Sequence, residues 1–274
     1  MISPSSPLAL LFASVVVAAS SNSAMAERGT VPKLTIQPLK VRASCKHSWR
    51  SAISEDDSKR LLSLLTNNYP RSLLSVTASN GKSALMVAAK TGNTALAKAL
   101  VEAGADVNEA TETNGTPFMF AALGDQQEMA QWLLDQGADL NTVGSNGWTA
   151  LTIAAAKGQV HMLQWLISQG AQTQVRDVYR YTPLIRAVDN GYAEAAAVLL
   201  SLVETDVNAQ DETHNTALHY AVSAGDFPMV KLLLEHQANS GILNRKGISP
   251  LDIARLLASD SRKVLEAMDA SVVL

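Results

Sequence analysis

Beyond residue 80 the apolar positions return with a period too long for a strand or a single helix. A Thr or Ser, then Ala or Pro, then a large apolar residue occurs at Ser83-Ala84-Leu85, Thr116-Pro117-Phe118, Thr149-Ala150-Leu151, Thr182-Pro183-Leu184, Thr216-Ala217-Leu218 and Ser249-Pro250-Leu251. Successive occurrences begin 33, 33, 33, 34 and 33 residues apart. Self-similarity at such a period marks a stacked array, in which each unit buries its apolar face only against its neighbours. Within the first full unit, Asn80 to Asn108, the pattern predicts two short helices. Ser83 opens the first, its hydroxyl serving otherwise orphaned backbone donors, and Gly92 permits the turn into the second. Gly104 ends the second as a left-handed cap, and Asp106-Val107-Asn108 leads to the next turn. Leu85, Leu100 and Val101 supply core between units, while Ala88 and Ala89 let neighbouring first helices approach closely. Met86, Met119, Met129, Met162 and Met229 fill gaps in that core. Trp132 and Trp165 occupy equivalent places on adjacent second helices and are expected to stack on each other. Phe118 and Tyr220 are likewise expected at buried repeat interfaces.

Upstream the repeat fades. Residues 45–78 are helical in pattern but lack the signature, and Ser58 to Asn67 reads as the second helix of a degenerate unit, so this segment is expected to be an N-terminal cap. Residues 27–44 read as an extended arm, because Pro32 and Pro38 forbid a central strand. The arm is basic: six Lys or Arg face one acid between Glu27 and Arg50, while the whole chain carries a formal charge of −3. The remainder is therefore acidic, which argues against nucleic acid as a partner, since phosphate binding needs clustered cations. The first 26 residues hold no Lys, Arg, Asp or Glu. The apolar run Leu8 to Ala19, followed by Ala24-Met25-Ala26, has the form of a signal peptide cleaved after Ala26, although no basic residue precedes the run. Its length falls short of the ~20 residues of a membrane span, so no stable membrane insertion is expected after cleavage. Localisation is read as periplasmic or secreted. Cys45 is the only cysteine, so no intrachain disulfide can form, and an exported chain with one thiol fits a bacterial periplasm.

Residues further along each unit give the pattern a family resemblance. The run Gly-x-Thr-Pro-Leu-His-x-Ala-Ala, a later Gly, and Leu-Leu-x-x-Gly-Ala-Asp-x-Asn resembles the ankyrin repeat. Thr216-Ala217-Leu218-His219-Tyr220-Ala221 with Gly225-Asp226 is the fullest instance, and Gly137-Ala138-Asp139-Leu140-Asn141 and Gly170-Ala171 repeat the helix-ending turn. The resemblance implies an all-α repeat solenoid over residues 79–274: six units, each a β-turn plus two antiparallel helices. Ser201 to Asp206 departs from the pattern by one added residue. The sixth unit is expected to be a C-terminal cap, with Arg255, Asp260, Arg262, Lys263 and Glu266 making its outer face polar.

Candidate chemistry is sparse. Gly81-Lys82-Ser83 resembles the tail of a phosphate-binding loop, but the required upstream Gly is Val76. No two of His47, His161, His214, His219 and His236 share the spacing of metal ligands, and no cofactor or metal site is expected. His219, in the family's usual His position, is implied to bridge its turn to the next unit. A non-enzyme is expected; a ligand or catalytic site around His214 and His219 is the rival reading. The family resemblance implies binding of a protein partner through a concave face formed by turn tips and first helices; with the leader read as above, the partner is expected to be exported too, and the scaffold to be a monomer. On that face fall Lys82 and Lys90, Glu112, Trp148 and Lys157, then Tyr179, Arg180, Tyr181, Asp189 and Asn190, then Glu212 and Asn215, and last Arg245 and Lys246. Trp148, Tyr179, Arg180 and Tyr181 lie on adjacent central turns and are of the types that most often anchor interfaces. An immunity-type inhibitor of a toxin or enzyme, and a cytoplasmic adaptor with an uncleaved leader, are the other readings.

Overall fold

The computed structural model describes residues 43–66 and 71–257. The expected leader, most of the arm and four of the five residues named for the C-terminal cap lie outside them. Helix α1 (Ala43–Ser54) and α2 (Ser58–Thr66) form a pair, followed by a 3-10 turn at Arg71–Leu73. Five further pairs follow: α3 (Ala84–Thr91) and α4 (Thr94–Glu102), α5 (Pro117–Leu123) and α6 (Gln127–Asp135), α7 (Ala150–Lys157) and α8 (Val160–Ser168), α9 (Pro183–Asp189) and α10 (Ala193–Leu200), α11 (Ala217–Ser223) and α12 (Phe227–Glu235). Helix α13 (Pro250–Leu256) opens the sixth unit. Among the described residues there is no strand.

Each first helix packs on the next, α3 on α5, α7, α9, α11 and α13 in order, while α8, α10 and α12 form an outer row. The recurring Thr or Ser is why these helices begin where they do. The Ser83, Thr116, Thr149, Thr182 and Ser249 hydroxyls accept from the backbone N–H three residues on, at 3.1–3.4 Å. Pro117, Pro183 and Pro250 then occupy the first helical turn, where a missing N–H costs nothing. Helices of seven to nine residues would be marginal alone, so burial against neighbours holds them. The large apolar residue after the cap, from Leu85 to Leu218, is at most 2% exposed, and the alanines on the same helices are buried with it.

The turns between units are held as a set. In every unit the peptide five residues before the cap closes a loop: the N–H of Ala78, Thr111, Gly144, Asp177, Asp211 or Asn244 donates to the carbonyl four residues later, at 2.8–3.1 Å. The residue three places into each turn has positive φ, and Gly fills that place at Gly81, Gly147 and Gly247. Neighbouring tips are tied by single backbone bonds, Ser145 to Thr113, Val178 to Asn146, Glu212 to Tyr179 and Arg245 to Thr213, each an N–H donating to a carbonyl at 2.9–3.1 Å. Behind them the Asn108, Asn141 and Asn208 side chains each accept from a backbone N–H of the next unit. Gln174 stands where Asn would be expected at the end of the third unit, just before the unit carrying the added residue, and there Arg176 Nη1 donates to the Gln210 carbonyl.

Two packing expectations are corrected. Trp165 faces Phe118, with ring centroids 6.3 Å apart, rather than Trp132. Phe118 stands where every other unit has Leu, and its longer side chain carries the ring from the first-helix layer to the second helix of the next unit. Tyr220 is only half-buried and turns its hydroxyl toward the tips.

Candidate protein-binding groove

Along the first helices one position, two residues beyond the large apolar residue, is half-buried between helix and tip in four of the six units and buried at Val87 and Ile153. Its occupants are Val87, Phe120, Ile153, Arg186, Tyr220 and Ile253. The facing position, immediately before each cap, holds Lys82, Gly115, Trp148, Tyr181, Asn215 and Ile248. These two columns form the walls of a groove whose character changes along its length.

Between the second and third units the groove is an open hollow of about 350 Å³, lined on its helix side by Met119, Phe120, Leu123 and Ile153 and on its tip side by Glu112, Thr113, Ser145, Asn146 and Trp148. Gly115 supplies no side chain here, so Phe120 is left uncovered from the tip side.

In the fourth and fifth units the same columns carry a polar network built twice on one plan. Asp177 has no side-chain exposure; its Oδ1 accepts from the N–H groups of Tyr179 and Tyr181, both at 2.9 Å, while Oδ2 accepts from Arg186. One unit on, Asp211 Oδ1 accepts from the N–H groups of Thr213 and Asn215 at 2.7 and 2.9 Å, and Oδ2 accepts from the Tyr220 hydroxyl at 2.5 Å. In both units a buried acid folds the tip with one oxygen and grips the helix with the other. Since Tyr220 spends its only proton on Asp211, the Tyr181 hydroxyl must donate to Tyr220 across 2.6 Å. The Arg186 guanidinium lies between the Trp148 and Tyr181 rings, 5.1 and 4.2 Å from their centroids. Burial, then the bond to Asp211, pushes the Tyr220 hydroxyl far above the usual phenol range. Burial also raises Tyr181, with Asp189 and Asp211 adding to the rise against its bond to Tyr220. Both phenols stay neutral and act as donors.

Among the described residues no cluster of three potential metal ligands occurs, and no helix is long and apolar enough to cross a membrane. His219 is 2% exposed; Thr216 N–H donates to its Nδ1 at 3.0 Å, so Nε2–H donates to the Ile248 carbonyl at 3.1 Å. Both ring nitrogens are occupied, and His214 sits exposed on its own tip.

Comparison with known proteins places this architecture. Two models described as ankyrin repeats match, one over residues 50–144 and 139–211, the other over 202–254. The chain belongs to the ankyrin-repeat family. Similar segments occur in the regulatory protein NPR6 of Arabidopsis thaliana (44% identical over 78 residues; 28% of this chain, 17% of the relative) and in the palmitoyltransferase ZDHHC17 of Homo sapiens (43% over 75; 27% and 12%). The B-cell lymphoma 3 protein homolog of Mus musculus is 37% identical over 87 residues, 32% of this chain and 18% of the relative. Each match spans under a fifth of the relative's length, so the likeness carries the repeats and not the activity in a relative's name. Ankyrin repeats in general mediate protein–protein interaction and act as non-catalytic scaffolds.

Seen as an ankyrin groove, the residues expected at its surface separate. Trp148 and Tyr181 line it half-buried, and Tyr179 and Arg180 project from the adjoining tip. Glu112, Lys157, Asp189, Asn190, Glu212, Arg245 and Lys246 are exposed; Arg245 and Lys246 border a second hollow with Thr213, Asn215 and Asn244. Asn215 is half-buried and accepts from Asn244 Nδ2 at 2.9 Å. Lys82 and Lys90 behave differently. Both ammonium groups are paired with Asp56 between α1 and α2, at 2.8 and 2.7 Å, and Lys82 is only 9% exposed, so these charges tie the first helix pair to the unit that follows. Phe120, Arg186 and Tyr220 are groove residues that reading the tips alone misses. Their signal is the residue after the family's His position, which varies from Val to Arg on otherwise uniform helices.

Proposed function

We propose that this chain is a non-catalytic scaffold that binds a protein partner along the concave groove, acting in the periplasm after removal of residues 1–26. The observation that carries the binding reading is the open hollow between Phe120 and Trp148, with the half-buried Tyr181 and exposed Tyr179 on the next tip. Apolar and aromatic surface left open beside tips fixed by inter-unit hydrogen bonds offers anchor pockets at small ordering cost. The apolar run Leu8 to Ala19 and the Ala24-Met25-Ala26 site support export.

The test is affinity capture of the tagged protein from its own cells, with mass spectrometry of its N-terminus and of whatever co-purifies, repeated with a Trp148→Ala/Tyr179→Ala variant. A stoichiometric exported partner, lost with the variant, and a bait beginning at Glu27 are the expected results. An intact Met1 with cytoplasmic partners would overturn the localisation; a partner retained by the variant would overturn the groove. Tyr181 is left intact because its hydroxyl belongs to the network that holds the tips.

A further inference from the structure

The groove is chemically asymmetric, and its charges select among partners. Helices α5, α7, α9 and α11 carry only three Lys, Arg, Asp or Glu residues: Lys157, Arg186 and Asp189. Arg186 is neutralised by buried Asp177 and covered on two sides by rings. Asp211 adds a carboxylate that no cation pairs with among the described residues, its partners being hydroxyls and backbone N–H groups. Asp189 is exposed, one helical turn beyond Arg186, and among the described residues it has no ion-pair partner. With Glu212 on the fifth tip set against Arg180 on the fourth, the wall of the fourth and fifth units is acidic in balance, whereas the hollow of the second and third is apolar on its helix side. Lys157 stands exposed at the end of α7 between them and repels a cation placed over the third unit.

Resting on the protein-binding reading above, we propose that the groove recognises an extended partner segment in which an apolar side chain, seated between Phe120 and Trp148, is separated by about four residues from a Lys or Arg that meets Asp189. The spacing follows from packing. First helices stack about 8–10 Å apart, so the hollow between α5 and α7 lies roughly 12–15 Å from α9, and an extended chain rises about 3.3 Å per residue. An acidic segment is disfavoured along the helix wall, because Arg186 there is already matched by Asp177 and the remaining charges of that wall are the Asp189 and Asp211 carboxylates, while Arg180 is exposed on the tip.

The experiment is selection of random twelve-residue peptides, displayed on phage, against the full chain. Selected peptides are then synthesised with a fluorophore and titrated by anisotropy against the wild type and the Trp148→Ala, Asp189→Asn and Asp189→Lys variants. The peptides are expected to share an apolar residue and a Lys or Arg about four positions apart. Trp148→Ala should weaken them by about thirtyfold, the scale of an interface hot spot. Asp189→Asn, or Gln in place of the peptide's cation, should each cost about threefold to fivefold without adding to one another, as for a partly exposed ion pair. Asp189→Lys should reverse the preference in favour of a Glu-bearing peptide. Peptides lost with Trp148→Ala but indifferent to Asp189 and to their own cation would overturn the two-part rule and leave groove binding standing. Peptides that bind every variant as they bind the wild type, or a selection that yields none, would overturn both.

Discussion

Arg180 and His214 sit with φ of 63° and 62° at the turn position where three of the six units have Gly and one has Asn114. A left-handed backbone costs a residue with a Cβ about 1 kcal/mol that Gly avoids. Replacing Arg180 by Gly should therefore raise stability by about 1 kcal/mol, seen as a higher urea midpoint at unchanged slope. The same variant should bind the partner no better than wild type, and a gain in both would show that Arg180 has no recognition role. Asp177 makes the opposite case. It is buried, folds its tip through two backbone N–H groups and neutralises Arg186, whose side chain is 16% exposed. Asp177→Ala strands a largely buried guanidinium and should cost about 3–5 kcal/mol; Asp177→Ala with Arg186→Met should cost clearly less than the sum of the single changes, by denaturant titration of all three. The Thr and Ser caps and the cap-following apolar residues were legible in the sequence, because each depends on its own unit's backbone. The Asp177–Arg186 and Asp211–Tyr220 grips were not: they join residues nine apart that only the folded turn brings together, in two units of the six.

Elements pass these local choices to their neighbours, and His219 is the clearest relay. Its Nδ1 accepts from Thr216 at the start of α11 while Nε2–H reaches the Ile248 carbonyl of the next tip. Desolvation by burial holds its pKa below the ordinary 6.5, against the opposing pull of the Ile248 carbonyl and of Asp211. The folded state therefore favours the neutral ring, and the unfolded chain takes up the proton first. Stability from this site is complete above 6.5 and is lost as pH falls from there through the lower folded value. His219→Gln keeps a donor and an acceptor without titrating, so its unfolding midpoint should lack the part of the acid-side decline that falls in this window. Equal slopes for both proteins between pH 7 and 5 would remove His219 as the cause. Glu109 acts in the opposite sense: burial raises its pKa, with Asp106 adding to the rise against the bond from Ser83, so its folded state gains as pH falls. Only the difference between the two proteins isolates the histidine. Gly147 does the equivalent work sterically, since a Cβ there would lie 2.6 Å from Asp177 Cα of the adjoining tip. The bridging role was implied by family resemblance, whereas the expected Trp132 and Trp165 pair failed because sequence period places residues in equivalent positions without saying which neighbour their rings meet.

At the scale of the whole array, stability is nearly a sum of units and of the contacts between adjacent ones. This makes the joint between the N-terminal helices and the first repeat separable from the groove. Asp56 holds that joint by accepting from Lys82 and Lys90 at once. Burial opposes its ionisation, but the two lysines outweigh that and keep its carboxyl below the usual range. Replacing Asp56 by Ala leaves Lys82, almost wholly covered, without its acid. The loss falls on one interface, between α1–α2 and α3, and the tip-to-tip bonds from Thr113 to Arg245 are untouched. Amide hydrogen exchange should therefore quicken by about tenfold in α1, α2 and α3, the scale set by ~1.4 kcal/mol of local opening energy. Protection of α7 to α11 and affinity for a groove-binding peptide should stay as in the wild type. If exchange quickened evenly through α11, the array would be one cooperative block, and the groove would answer to events at the α1–α2 pair as well as to its own residues.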